Sequence, residues 1–160
     1  MSLSNEVEIR SLATPEFFLE EPPNFSPMMH VSLCFCEYDS KIVLLLRHPS
    51  KPQGNTWCAP GGKLDTGDSP LSAVIREVSE ETHILLKEEQ LDFRATFYTR
   101  YPSGDIALYV YHALLTELPS LSVNPGEHEK ICLISPKDAM NLALMPGADQ
   151  LIEFIYGKQV

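Results

Sequence analysis

Three glutamates, Glu77, Glu80 and Glu81, stand at i, i+3 and i+4 in the segment IREVSEET. On a helix that spacing gathers them within an arc of roughly 100°. Like charges so placed repel, and Glu81 falls beside the apolar stripe, next to Val74, where a solvated acidic face would not put it. Carboxylates in that position call for a cation. A donor set made only of oxygens suits a hard ion, Mg²⁺ or alternatively Mn²⁺, which keeps some waters and leaves positions for phosphate oxygens. Just upstream, Pro60-Gly61-Gly62 lets the backbone approach a metal or a phosphate closely, and a helix N-terminus beyond it favours an anion. Arg76 has two options: an exposed pair with Glu80, or a reach back to fix a catalytic carboxylate. The chemistry these residues suit is the binding of a hard cation together with phosphate oxygens.

The elements that must carry them are legible around this segment. Apolar residues at Leu71, Val74, Ile75 and Val78 repeat at helical spacing and predict a helix over 70–82, with Ser69 as N-cap and Pro70 in the first turn. Before it, 29–38 and the nearly continuous aliphatic run 41–47 read as strands joined at Asp39-Ser40, followed by a short apolar piece at 57–59. After it come strands at 91–101, 105–116 and 130–134, a short helix near 136–142 opened by Ser135-Pro136, and an amphipathic helix over 147–157 with Leu151, Ile152, Phe154 and Ile155 inward. A first short strand is expected at 5–11. Residues 12–27 carry Pro15, Pro22, Pro23 and Pro27 and read as an arm laid over the domain. Strands and helices alternating around one sheet predict an α/β layered domain with a mixed sheet, and 160 residues suit a single domain spanning 1–160.

Composition narrows the partners. Twenty-two acids against 12 Lys plus Arg give a formal charge of −10, the wrong sign for holding nucleic acid through its phosphates. No apolar run approaches the roughly 20 residues that cross a bilayer, and the start MSLSNEVEIR lacks the pattern of an export signal, so neither a membrane segment nor export is expected. Cys34, Cys36, Cys58 and Cys132 form no CxxC pair and read as reduced thiols, which fits a cytoplasmic protein. A phosphate compound as ligand would then need a bound cation or a local basic pocket to offset the acidic chain.

Gly62, then Asp68, then Arg76-Glu77-Val78-Ser79-Glu80-Glu81-Thr82-His83-Ile84 resembles the Nudix box of the MutT/Nudix family. Matches at Gly62, Arg76, Glu77, Val78, Glu80, Glu81 and Ile84 at fixed spacing have chance odds on the order of 10⁻⁵ in a chain of this length. Two positions depart from the family pattern. Asp68 stands where the family has Glu, one methylene shorter, and His83 where it has the Gly that ends the helix.

The resemblance implies a Nudix-type α/β/α sandwich with a mixed β-sheet over most of 29–157. It also implies that Glu77, Glu80 and Glu81 ligate Mg²⁺ with the carbonyl of Gly61, and that Arg76 orients Glu77. Asp68 would help organise the loop. Glu127, in EHEKICL, occupies the region where many members carry one more acid that binds metal or acts as base, with Glu129 as its competitor. The implied reaction is hydrolysis of a nucleoside diphosphate linked to another group, with Glu77 or Glu127 taking the proton of the attacking water.

Nucleoside triphosphates are the leading substrate expectation, with ADP-ribose, dinucleoside polyphosphates and nucleotide sugars open. Gly62, Arg47, Trp57, Tyr101, Tyr109 and Asp68 are the candidates to hold the substrate. A nucleotide-binding module without catalysis is a rival, disfavoured by the retained carboxylates. An isoprenoid diphosphate isomerase is another, to which Cys58 lends a candidate thiol. A homodimer is left open, with the arm a candidate cover for a neighbour's sheet.

Overall fold

Residues 15–159 are described by a computed structural model. The strand expected at 5–11 lies outside them. Among the described residues eight strands form one mixed sheet: β1 (Glu16–Phe18), β2 (Pro27–Tyr38), β3 (Lys41–Arg47), β4 (Trp57–Cys58), β5 (Gly61–Lys63), β6 (Leu91–Tyr101), β7 (Gly104–Leu114) and β8 (His128–Ile134). Helix α1 spans Pro70–Thr82, α2 Pro136–Ala139 and α3 Ala148–Tyr156.

The sheet runs β1-β6-β7-β2-β3-β4, with β5 added to β2 and β8 to β3. Local turn chemistry sets its hairpins. Asp39 and Ser40 both adopt positive φ, 50° and 61°, the twist a two-residue hairpin needs, and Gly104 at φ 143° turns β6 into β7. The β2–β7 pairing is parallel and joins segments far apart in sequence. At its C-terminal end β2 pairs with β3, Glu37 against Ile42, while nearer its start it pairs with β5, Leu33 against Gly61. The sheet therefore splays between β2 and β3, and β5 fills the upper part of the gap.

Alternation on the strands divides the core into two layers. Cys34, Cys36, Val43, Tyr111 and Ala113 pack under α1 with Val74 and Val78, whereas Phe35, Ile42, Leu44, Leu108 and Val110 pack under α3 with Leu151 and Ile152. This is the α/β/α sandwich expected. β3 is buried from Ile42 to Leu45 on both faces, as its unbroken aliphatic run requires. All four cysteines are free thiols, Cys34 and Cys36 buried and the other two half-buried.

The ends of the elements refine the expectations. Ser69 Oγ accepts the Ser72 N–H at 3.0 Å and Ser72 Oγ accepts the Ser69 N–H at 3.0 Å, a reciprocal cap that starts α1 where Pro70 permits. His83 ends α1 at φ 64°, taking the left-handed conformation glycine usually supplies, with its N–H on the Ser79 carbonyl at 2.9 Å. Helix α2 closes at Ala139, shorter than expected, because Met140 to Leu142 turn back onto Lys137 to Ala139. Phe154 is 40% exposed and lies edge-on against Phe97 at 4.9 Å, on the flank of α3 and not inward. The described part of the arm pairs with its own chain: β1 runs antiparallel to β6, and Phe17 meets Phe97 at 5.8 Å. Gly147, at φ 93°, opens α3 where any Cβ would overlap the Phe17 ring. Among the described residues no helix is long and apolar enough to cross a membrane.

Candidate active site

Helix α1 and strand β5 build the site together. Gly61 lies so close to β2 that a Cβ there would overlap the Ser32 carbonyl oxygen, which draws β5 against the sheet. The Gly61 N–H then points at α1 and donates to Glu81 Oε1 at 2.7 Å. A Cβ on Gly62 would run into the Glu77 carboxylate, with both oxygens within 2.8 Å of it. Gly62 thus makes room for the Glu77 carboxylate, while Gly61, drawn against β2, offers its N–H to Glu81.

Arg76 ties the helix to the loop before it. Its guanidinium donates to Glu77 Oε1 at 2.8 Å and to Asp68 Oδ2 at 2.9 Å, with Glu80 Oε2 farther away at 3.6 Å. The reach back dominates over the pair along the helix. Asp68 also accepts the Asp65 N–H at 2.9 Å, and these bonds hold its carboxyl below the usual range, the Asp65 N–H foremost and Arg76 next. The shorter side chain still closes the loop onto α1.

A cavity of about 410 Å³ opens between these elements, lined by Arg47, Lys51, Gly61, Gly62, Lys63, Glu77, Glu81, Glu127 and His128. Glu127 arrives from the turn before β8, held by the His48 N–H on its carbonyl at 2.9 Å. One donor atom each from Glu81, Glu127 and His128 lies within 4.8 Å of the others. Glu129 is not among the residues lining the cavity, while Glu80 is exposed beside Arg76.

Burial and mutual repulsion govern the charges. Glu81 is only 6% exposed and its carboxyl is pushed up to about 8, first by desolvation and then by the Glu77 and Glu127 carboxylates, against the Gly61 N–H. Desolvation also raises Glu77, opposed by Arg76. His128 is lowered by burial and by Arg47. A buried carboxylate facing two others is costly unless a cation joins them, and this donor set of hard oxygens with one imidazole fits a divalent ion.

Of the residues singled out from sequence, the fold brings Arg47, Gly61, Gly62, Glu77, Glu81 and Glu127 to one cavity, with Arg76 and Asp68 just behind it. Trp57, Tyr101 and Tyr109 lie elsewhere. Trp57 packs with the α3 layer. Tyr101 lines a second, apolar cavity of about 190 Å³ with Phe17, Leu33, Cys58, Met145 and Leu151. Tyr109, on the α1 side, stacks on His30 at 6.0 Å with its hydroxyl 3.0 Å from Nδ1. Sequence reasoning missed Lys51, Lys63 and His128. Lys63 carries a signal, since it follows Gly62 directly, whereas Lys51 and His128 reach the cavity only through β3 and β8.

Comparisons with known proteins bear on the family and the fold. The NUDIX domain model matches residues 27–155. The chain belongs to the Nudix family. It is 29% identical to a Nudix hydrolase of Bacillus subtilis, YvcI, over 80% of this chain and 79% of that protein. It is also 29% identical to the CTP pyrophosphohydrolase of Escherichia coli, over 79% of this chain and 90% of that one. Among solved structures, a MutT NUDIX hydrolase of Burkholderia pseudomallei superposes with a TM-score of 0.71 at 22% identity, over 81% of this chain and 98% of that one. A Nudix hydrolase is an enzyme that cleaves diphosphate bonds, and the segment of this chain that resembles the Nudix box, Gly62 to Ile84, brings Gly62, Lys63, Glu77 and Glu81 to the cavity.

Proposed function

We propose that this Nudix hydrolase is a divalent-cation-dependent pyrophosphohydrolase of nucleoside triphosphates. The observation that carries the reading is the lining of one cavity by three acids, Glu77, Glu81 and Glu127, and three bases, Arg47, Lys51 and Lys63. Acids alone would suit an ion and bases alone an anion; the two together suit an ion with a polyphosphate bound to it. This also resolves the acidic net charge, because the positive groups are gathered where phosphate would lie. The similarity to a CTP pyrophosphohydrolase supports a triphosphate as substrate.

Glu77, Glu80, Glu81, Glu127 and the Gly61 carbonyl are assigned to the cation, Mg²⁺ or Mn²⁺. The ion supplies charge neutralisation on the phosphoryl oxygens and a lowered pKa for water. Arg47, Lys51 and Lys63 hold the phosphate chain. Arg76 fixes Glu77 through its bond to Oε1, with Asp68 anchoring the guanidinium behind it. Water attacks one phosphorus, the bond from that phosphorus to the bridging oxygen breaks, and the water proton passes to Glu77 or Glu127. The products are a nucleoside monophosphate and inorganic diphosphate. The base is assigned to the apolar cavity beside Tyr101, whose wall at Cys58 and Ala59 continues through Pro60 into Gly61.

The test is phosphate and diphosphate release from nucleoside triphosphates, ADP-ribose, dinucleoside polyphosphates and nucleotide sugars, with Mg²⁺ and with EDTA, for the wild type and Glu77→Gln. Turnover of triphosphates is expected to vanish in EDTA and to fall by about 10²–10⁴-fold in the variant. Tight nucleotide binding without turnover would overturn the reading in favour of a binding module. Turnover confined to another member of the panel would replace the substrate.

A further inference from the structure

His128 opens β8 and is 2% exposed. Its N–H donates to the Asn124 carbonyl at 3.0 Å and the residue pairs across the ladder with Arg47, so its backbone is anchored on both sides. The imidazole is poorly provided for. Nδ1 has no hydrogen-bond partner among the described residues. Nε2 meets Glu81 Oε2 at 3.4 Å, while the other oxygen of Glu81 already accepts from Gly61. Buried polar nitrogens are nearly always partnered, so a ring in this state marks a place for something further.

The 3.4 Å separation indicates what that is. An N–H···O hydrogen bond centres near about 2.9–3.0 Å, and this contact is long for one. Two donors on the same ion, with bonds of about 2.0–2.2 Å, stand about 3.0–3.5 Å apart along the edge of a tetrahedron or octahedron. A neutral imidazole has one bare nitrogen, and where that nitrogen faces Glu81 Oε2 the two lone pairs repel unless a proton or a cation lies between them. Glu127 brings a third donor to within 4.8 Å of both.

We propose that an imidazole nitrogen of His128 is a direct ligand of the cation held by Glu81 and Glu127, so that the site selects a first-row transition ion over Mg²⁺. The inference rests on the reading that those two carboxylates hold a cation, and adds to it the identity of the ion. Oxygen ligands alone leave Mg²⁺ competitive, whereas an imidazole nitrogen favours the softer ion.

Mn²⁺ titrated into the metal-free protein, without nucleotide, tests this by electron paramagnetic resonance, with Mg²⁺ as competitor and with pulsed spectra of the bound ion. The wild type should show the nitrogen hyperfine coupling of a directly bound imidazole. In His128→Gln that coupling should disappear, and the Mg²⁺ concentration that displaces half of the Mn²⁺ should fall by about tenfold or more. Mn²⁺ bound by the wild type without nitrogen coupling overturns the assignment and leaves the acidic site standing. No Mn²⁺ binding by the wild type overturns both the assignment and the cation site beneath it. The wild-type spectrum decides the matter even where the variant fails to fold.

Discussion

At the scale of single residues, the site depends on small clearances and on one buried acid. Gly62 leaves the Glu77 carboxylate space beside β5 that a Cβ would take. Gly62→Ala is expected to displace that carboxylate and lower kcat by about 10²-fold, the cost of misplacing a reacting group by about an ångström. Steady-state kinetics beside a thermal melt would separate this from unfolding. Glu81 makes a second prediction, for the cation-free protein. Its carboxyl is raised in the fold from 4.5 to about 8, so the folded chain keeps a proton that the unfolded chain gives up. The stabilisation this contributes is complete below about pH 4.5 and is lost as the pH rises towards 8. The Tm of Glu81→Gln, which cannot ionise, should therefore gain on that of the wild type across this window. A difference in Tm that stays constant with pH would show that Glu81 does not hold the proton.

At the scale of elements, α1 is the piece the site cannot do without, and its ends are secured by local bonds. Ser69 accepts one of the free N–H groups of the first turn while Ser72 returns a bond to the cap. Ser69→Ala should cost about 1 kcal/mol, or about 2–4 °C in Tm for a chain of this length, read by calorimetry. That helix was legible residue by residue, 70–82 in sequence and in structure, because its period, cap and proline are local signals. The strands read at 29–38, 41–47, 91–101, 105–116 and 130–134 match to within two residues at their ends, since alternation is local as well, whereas the three-residue β1 and β5 were not legible because only their pairing with β6 and β2 defines them. Helix α2 and the orientation of Phe154 were not: the first is cut short by a turn of its own backbone, the second by contact with Phe97 on β6.

At the scale of the whole molecule, a splayed mixed sheet holds two half-cores, and the cation cavity belongs to one side of it. Ile152 is fully buried in the α3 layer and does not line the cation cavity. Ile152→Ala should lower stability by about 2–5 kcal/mol, measured by urea unfolding. What the sequence determined by itself was the helix, its cap, the order of strands along the chain and the cluster of Glu77, Glu80 and Glu81, all of which rest on spacing within a few residues. The tertiary structure alone decided that β2 lies parallel to β7, that β8 carries Glu127 and His128 to Glu81, and that Arg47, Lys51 and Lys63 face those acids. It also decided that Glu80 stays exposed while Glu81 is buried, and that Tyr101 and Tyr109 stand on different faces. The reason is that pairing between distant strands depends on the register and packing of the whole sheet, for which no short window of residues carries the information.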